Sequence, residues 1–216
     1  MNLTPQTDKW LWEAGYEYHC FISWPRTLNP DITGCAERLK QSIEQWLALS
    51  FSNPRVFLDL TDVIGGDRWE TTMLNALCRS MALVAVCAPI YYHPDHKWCG
   101  IEWASMDELS RRRFPDAEFH AIIPVIVRNS EILPDPVKKI QYHDMSRLIT
   151  TGRRYYATNE YRGIINKIGG RIEEIAITLS ENCVEADCDS FQFAASSAFS
   201  DYHTQQQSMP FRKKKL

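Results

Sequence analysis

Seven consecutive apolar residues, Ala82-Leu83-Val84-Ala85-Val86-Cys87-Ala88, run without a polar break and stop at Pro89. A run this short, with no polar face, predicts a strand covered on both sides, and such strands belong to parallel sheets with helices on each face. The rest of the chain alternates to match. Tyr16 to Ser23 predicts a first strand, Val56 to Asp59 a short second, Phe119 to Val127 a fourth and Ile140 to Met145 a short fifth. Between them apolar residues recur at helical spacing. Thr33 is placed to cap a helix carrying Ala36, Leu39, Ile43, Trp46 and Leu47. Trp69, Met73, Leu77 and Met81 line a second helix, and Trp98 to about Arg113 forms a third. Leu133-Pro134-Asp135-Pro136 reads as a rigid, non-helical loop. Asn159 to Glu181 holds its period from Tyr161 to Leu179, although Gly169-Gly170 costs about 1 kcal/mol per glycine against alanine. A kink or a close helix-to-sheet contact would explain that pair.

Length and texture divide the 216 residues into an N-terminal extension (1–13), one domain (14–181) and a tail (182–216). The tail mixes Ala, Ser and Gln with isolated aromatics and holds no period, so it is expected to be flexible. A formal charge of −3 advertises no nucleic-acid partner, and the basic run Arg212 to Lys215 reads as a solvated end. No apolar stretch approaches the roughly 18 residues of a membrane span, and the N-terminus lacks a signal pattern. The chain reads as soluble and cytoplasmic, with no membrane partner. The seven cysteines agree, being odd in number, without a CxxC pair and mostly set among apolar neighbours where reduced thiols pack. His93-x-x-His96-x-x-Cys99 has a hint of metal spacing but no fourth ligand nearby, so no metal is expected.

Three further stretches carry chemistry. The first is Tyr18-His19-Cys20-Phe21-Ile22-Ser23-Trp24, with Arg26 just beyond. The second runs from Phe57-Leu58-Asp59 through Gly65-Gly66 to Trp69. The third is Ala88-Pro89-Ile90-Tyr91 followed by Trp98-Cys99-Gly100-Ile101-Glu102. In this order and at these distances they resemble the TIR (Toll/interleukin-1 receptor) domain, with Trp24 where the family usually has Tyr. The resemblance implies a flavodoxin-like open parallel five-stranded sheet flanked by helices. It also implies one of two functions, since the family includes immune adaptors and enzymes that cleave NAD+.

In NAD-cleaving members the catalytic glutamate stands four positions after the motif tryptophan, which here is Glu102. Animal signalling adaptors generally lack it, so the resemblance favours an NAD+ glycohydrolase or ADP-ribosyl cyclase of the stand-alone bacterial type used in anti-phage defence. Catalysis is assigned to Glu102. Substrate contacts are assigned to Ser23, Trp24, Arg26, Asp59, Gly65, Gly66, Trp69, Tyr91 and Trp98. Arg26 matches a basic residue that meets the phosphates, and Trp69 an aromatic platform for a flat ring. NAD+ would be a consumed substrate, with no resident cofactor.

The residue types suit that reaction. Nicotinamide leaves a pyridinium as a neutral molecule, so the barrier lies in a ribosyl cation that one carboxylate can stabilise. Aromatic walls orient the ring, and a glycine loop admits it and closes. Trp98 and Glu102, four apart on a helix, share a face. Each residue also has a plainer reading: Glu102 as a solvated carboxylate, Trp98 as a core aromatic, Asp59 as a turn cap, Cys99 as a packed thiol. The absence of GxGxxG and GxxxxGK[ST] argues against a dehydrogenase or a nucleoside triphosphatase. The resemblance further implies homo-oligomers or filaments through TIR–TIR contacts, with an activator or downstream effector as partner. The alternative is a non-catalytic adaptor.

Overall fold

The apolar run forms β3 (Ser80–Cys87), every residue of which is buried. In this computed structural model the described residues are 5–27, 29–59, 69–115, 120–150, 152 and 154–200. β3 pairs with β1 (Tyr18–Ser23) on one side and β4 (Ile122–Ile126) on the other. β2 (Val56–Phe57) flanks β1, and β5 (His143–Asp144) flanks β4, giving the all-parallel order β2-β1-β3-β4-β5. The chain therefore winds outward in opposite directions from β1 and β3. In open sheets of this order the ligand cleft lies beyond the carboxyl ends of those two strands.

Helices cover both faces. α2 (Pro30–Leu47) packs against α7 (Asn159–Glu181), which also meets α1 (Pro5–Glu13). On the other side α3 (Trp69–Cys78) packs against α4 (Lys97–Arg113). The predicted stripes are the buried ones, Leu39, Ile43 and Leu47 on α2 and Ile164, Ile168, Ile172 and Ile175 on α7. Burying a side chain of this size contributes about 1.5–3 kcal/mol, which is why the stripes set the packing.

Local details differ from the sequence reading for identifiable reasons. α2 starts at Asn29, whose side chain accepts the Asp31 N–H at 2.9 Å, and Pro30 occupies the first turn. Thr33 instead turns its hydroxyl to the Thr27 and Asn29 carbonyls. α3 stops at Cys78, because the parallel pairing of Ser80 with Tyr18 takes the chain into β3 and makes Met81 a strand residue. Asp135–Lys138 forms a one-turn helix, α5, since Pro136 lies in the first turn where proline is tolerated. A further short helix, α6, spans Ser146–Thr150. Gly169 serves a helix-to-helix contact. A Cβ there would lie 2.1 Å from the Trp46 ring of α2, whose indole N–H reaches Asn166 at 3.0 Å.

The largest difference concerns residues 182–200, expected as a flexible tail. They fold back onto the domain, burying Ala186, Phe191 and Phe199. The expectation of reduced cysteines is also corrected: Cys78 and Cys188 form a disulfide across 110 residues of sequence. In the chain-entropy view a loop of this length is worth about 4–5 kcal/mol. Residues 201–216 lie outside the described residues. Among the described residues, no helix is long and apolar enough to cross a membrane.

Candidate active site

β1 ends at Ser23, and the chain leaves β3 through Ala88 into a short 3-10 turn, Pro89–Tyr92. α4 then rises past both strand ends. The residues four and seven positions after Trp98, Glu102 and Ser105, point inward and are buried. Glu102 is thus a buried carboxyl, 5% exposed, at the floor of a cleft of about 360 Å³. Trp24, Arg26, Asp59, Trp69 and Trp98 form the walls. Of the ten residues assigned from sequence, these six are brought together on one concavity.

Ser23 and Tyr91 serve the site from behind. The Ser23 hydroxyl donates to Glu102 Oε2 at 2.6 Å, and Tyr91 Oη lies 2.7 Å from the same hydroxyl oxygen. With the serine proton committed to the carboxyl, the tyrosine supplies the proton of that second contact. Tyr91 is fully buried, and its hydroxyl oxygen lies 3.3 Å from the Cys99 carbonyl. Neither residue lines the cleft; both stand behind Glu102 in a relay that orients its carboxyl. Gly65 and Gly66 lie outside the described residues.

Asp59 holds the opposite wall. Its two oxygens accept the Trp24 indole N–H and the Arg26 Nε, each at 2.6 Å. Both are used within the protein, so Asp59 acts by fixing Trp24 and Arg26. The Arg26 guanidinium lies 5.1 Å over the Trp69 ring and keeps about half of its side chain exposed. Trp69 in turn meets Trp98 edge-to-face at 4.8 Å. The Trp69 indole nitrogen is buried and has no acceptor among the described residues. Leaving such a donor unpaired costs about 1–3 kcal/mol, and a polar ligand atom would relieve it.

Burial dominates the electrostatics. It pushes the Glu102 carboxyl from 4.5 up to about 8, opposed by the Ser23 hydrogen bond, raised further by Asp59 and lowered by Arg26. Ionisation is thus penalised until a positive charge enters the cleft. The Cys99 thiol is held well above its usual range, first by burial and then by Glu102, which leaves it protonated and poorly nucleophilic. Asp95 and His96 also line the cleft and were not assigned to it from sequence. Their one signal was position, in the turn leading into the Glu102 helix. Burial, then His93, lowers the His96 pKa, so that ring is neutral at pH 7. Among the described residues, no cluster of three His, Cys, Asp or Glu is arranged to hold a metal ion.

A larger cavity, about 610 Å³, opens at the far sheet edge beside β4 and α7. Lys139, Lys167 and Arg171 make it basic, and its one carboxylate, Glu174, is bound to Arg171 at 2.9 Å.

The TIR domain family model matches residues 35–156. Among solved structures, the TIR domain of the Toll-related receptor TRR-2 from Hydra magnipapillata matches with a TM-score of 0.45 and 14% identity, covering 74% of this chain and 98% of that one. No curated protein gives a significant match.

Proposed function

Because this chain belongs to the TIR domain family, we propose that its cleft cleaves NAD+ at the ribose–nicotinamide bond. The observation that carries the proposal is the buried Glu102 carboxyl, aimed by Ser23 and roofed by Trp69 and Trp98. Nicotinamide in NAD+ is a pyridinium, and its entry brings a positive charge to a carboxyl that burial keeps protonated. The proton then leaves to solvent, and the carboxylate faces the ribose as the glycosidic bond breaks. Electrons of that bond neutralise the pyridinium, and the charge moves to the ribosyl cation beside Glu102. Arg26 at the mouth meets the phosphates, and the Trp69 N–H finds its acceptor on the ligand.

Water capture of the cation gives ADP-ribose. Capture by an adenine nitrogen or a ribose hydroxyl of the same molecule gives a cyclic isomer. TIR domains commonly interact through TIR–TIR contacts, and the finer proposal is that chains assemble head-to-tail through such contacts. A sedimentation run that finds a fully active strict monomer refutes that part. The proposed role is immune signalling through the product, in the manner of anti-phage TIR enzymes.

Purified protein at high concentration, followed by chromatography of nicotinamide release, tests the reaction. Glu102→Ala is expected to lower kcat/KM at least about tenfold, or about 1.4 kcal/mol of barrier. Unchanged turnover in that variant refutes the assignment, and NAD+ left intact under assembly conditions leaves the adaptor reading.

A further inference from the structure

The segment that follows α7 is fastened to the domain in two stretches. The first is held near α1 and α3. Tyr16 donates its hydroxyl to the Val184 carbonyl at 3.1 Å, and Ala186 N–H bonds the Ala14 carbonyl at 2.9 Å. Buried Arg113 reaches the Ala186 carbonyl while also holding those of Cys78 and Ser80. The second stretch runs along the back of α4, the helix that carries Trp98 and Glu102. Ala194 N–H bonds Ser105 Oγ at 2.8 Å, and Ala198 N–H bonds the Gly100 carbonyl at 3.0 Å.

This fit is built for the segment. A Cβ on Gly100 would lie 1.8 Å from Ser197 Oγ and 2.9 Å from Ser197 Cβ, so only glycine admits the strap there. Phe193 meets the Trp98 ring edge-to-face at 5.3 Å, directly behind a wall of the cleft. Phe199 is buried among Tyr91, Tyr92 and Trp103. Between the two stretches Asp189 and Ser190 are exposed, and the covalent fastening is the bond from Cys188 to Cys78 at the end of α3. Cys78 is buried, whereas Cys188 is only partly so.

We infer that the Cys78–Cys188 bond is a thiol-exchange site that sets how firmly residues 189–200 brace α4, with Phe193 as the positioning residue for Trp98. A dithiol reductant enters at Cys188, the more accessible sulfur. Its thiolate forms a bond to Cys188 Sγ, and the electron pair of the broken S–S bond passes to Cys78, which takes up a proton. The second thiol of the reductant then displaces Cys188 as a thiol, and the reductant departs as its own disulfide. Two electrons and two protons are transferred. The strap is then retained by hydrogen bonds and aromatic contacts alone, and the Trp98 wall loses its fixed backing. The activity arm of this inference rests on the NAD+ reading above; the structural arm does not.

The test compares the full chain, purified without reductant, before and after treatment with a dithiol. Peptide mapping should recover the Cys78–Cys188 cross-link. Reduction should accelerate amide exchange in residues 189–200 and in the first turns of α4 by at least about tenfold. The Michaelis constant for NAD+ should rise at least about fivefold with kcat nearly unchanged, the mark of a lost binding wall. Cys188→Ser should reproduce the reduced state and no longer respond to dithiol. Gly100→Ala, which displaces Ser197 without touching a sulfur, should raise KM in the oxidised chain. Phe193→Leu should retain more affinity than Phe193→Ala, which a purely structural strap would not require. Unpaired Cys78 and Cys188 in the untreated chain, or equal exchange before and after dithiol, overturns the inference. A freed strap with an unchanged KM overturns the link to Trp98. A strap released by dithiol in a chain that leaves NAD+ intact upholds the exchange site and refutes only the enzymatic reading.

Discussion

Glu102→Gln is expected to make this protein more resistant to alkaline conditions, and the size of the gain follows from burial. In the folded chain the carboxyl titrates at about 8, against 4.5 when free in water. Between those values the unfolded chain has released this proton and the folded chain retains it. The unfolded state therefore binds fewer protons, and stability falls as pH rises from 4.5 towards 8, then levels off. At 1.36 kcal/mol per unit, the whole shift is worth about 5 kcal/mol, of which about 4 falls between pH 5 and pH 9. Glutamine keeps the shape and can still accept the Ser23 hydroxyl, yet has no charge to bury. Urea unfolding of both chains at several pH values, with linear extrapolation to water, isolates the effect, since every other titrating group is common to both. The parent should lose about 4 kcal/mol more than the variant over that range. Parallel stability profiles would refute the claim that Glu102 is buried and unpaired by a cation.

The same titration should govern catalysis, with the opposite sign. The kcat/KM for NAD+ should rise with pH and level off above about 8, because the carboxylate is the working form. Ser23→Ala removes the hydrogen bond that favours ionisation and should move that rise upward by about one pH unit, read from the pH profile. A downward move would refute the relay. Gly169→Ala should destabilise by about 1–3 kcal/mol in urea unfolding, despite alanine's better helix propensity, because its methyl would enter the Trp46 ring. A more stable variant would mean that α2 and α7 can part at no cost.

Much of the fold was legible in the chain. The apolar run Ala82 to Ala88 fell on β3, and the long period from Tyr161 to Leu179 fell on α7. Both signals are repeated over many residues, so no single neighbour can override them. Ends were less legible, since a single cap or strand pairing decides them: Asn29 displaced Thr33, and Ser80 ended the helix that Met81 had extended in the periodic pattern. Motif order also predicted which side chains would meet, and Trp24, Arg26, Asp59, Trp69, Trp98 and Glu102 line one cleft.

What the sequence determined alone is what depends on near neighbours: alternating strands and helices, the two stripes that sandwich the sheet, and the pairing of Trp98 with Glu102 on one helix face. Tertiary structure decided what depends on distant partners. Ser23 and Glu102 are 79 positions apart, and only the parallel pairing of β1 with β3 brings the serine beneath the helix. Tyr91 is kept out of the cleft by the same packing, and Cys78 meets Cys188 only because residues 182–200 fold back onto the domain. A flexible-looking composition says that a segment cannot build its own core; it leaves open whether another core has room for it.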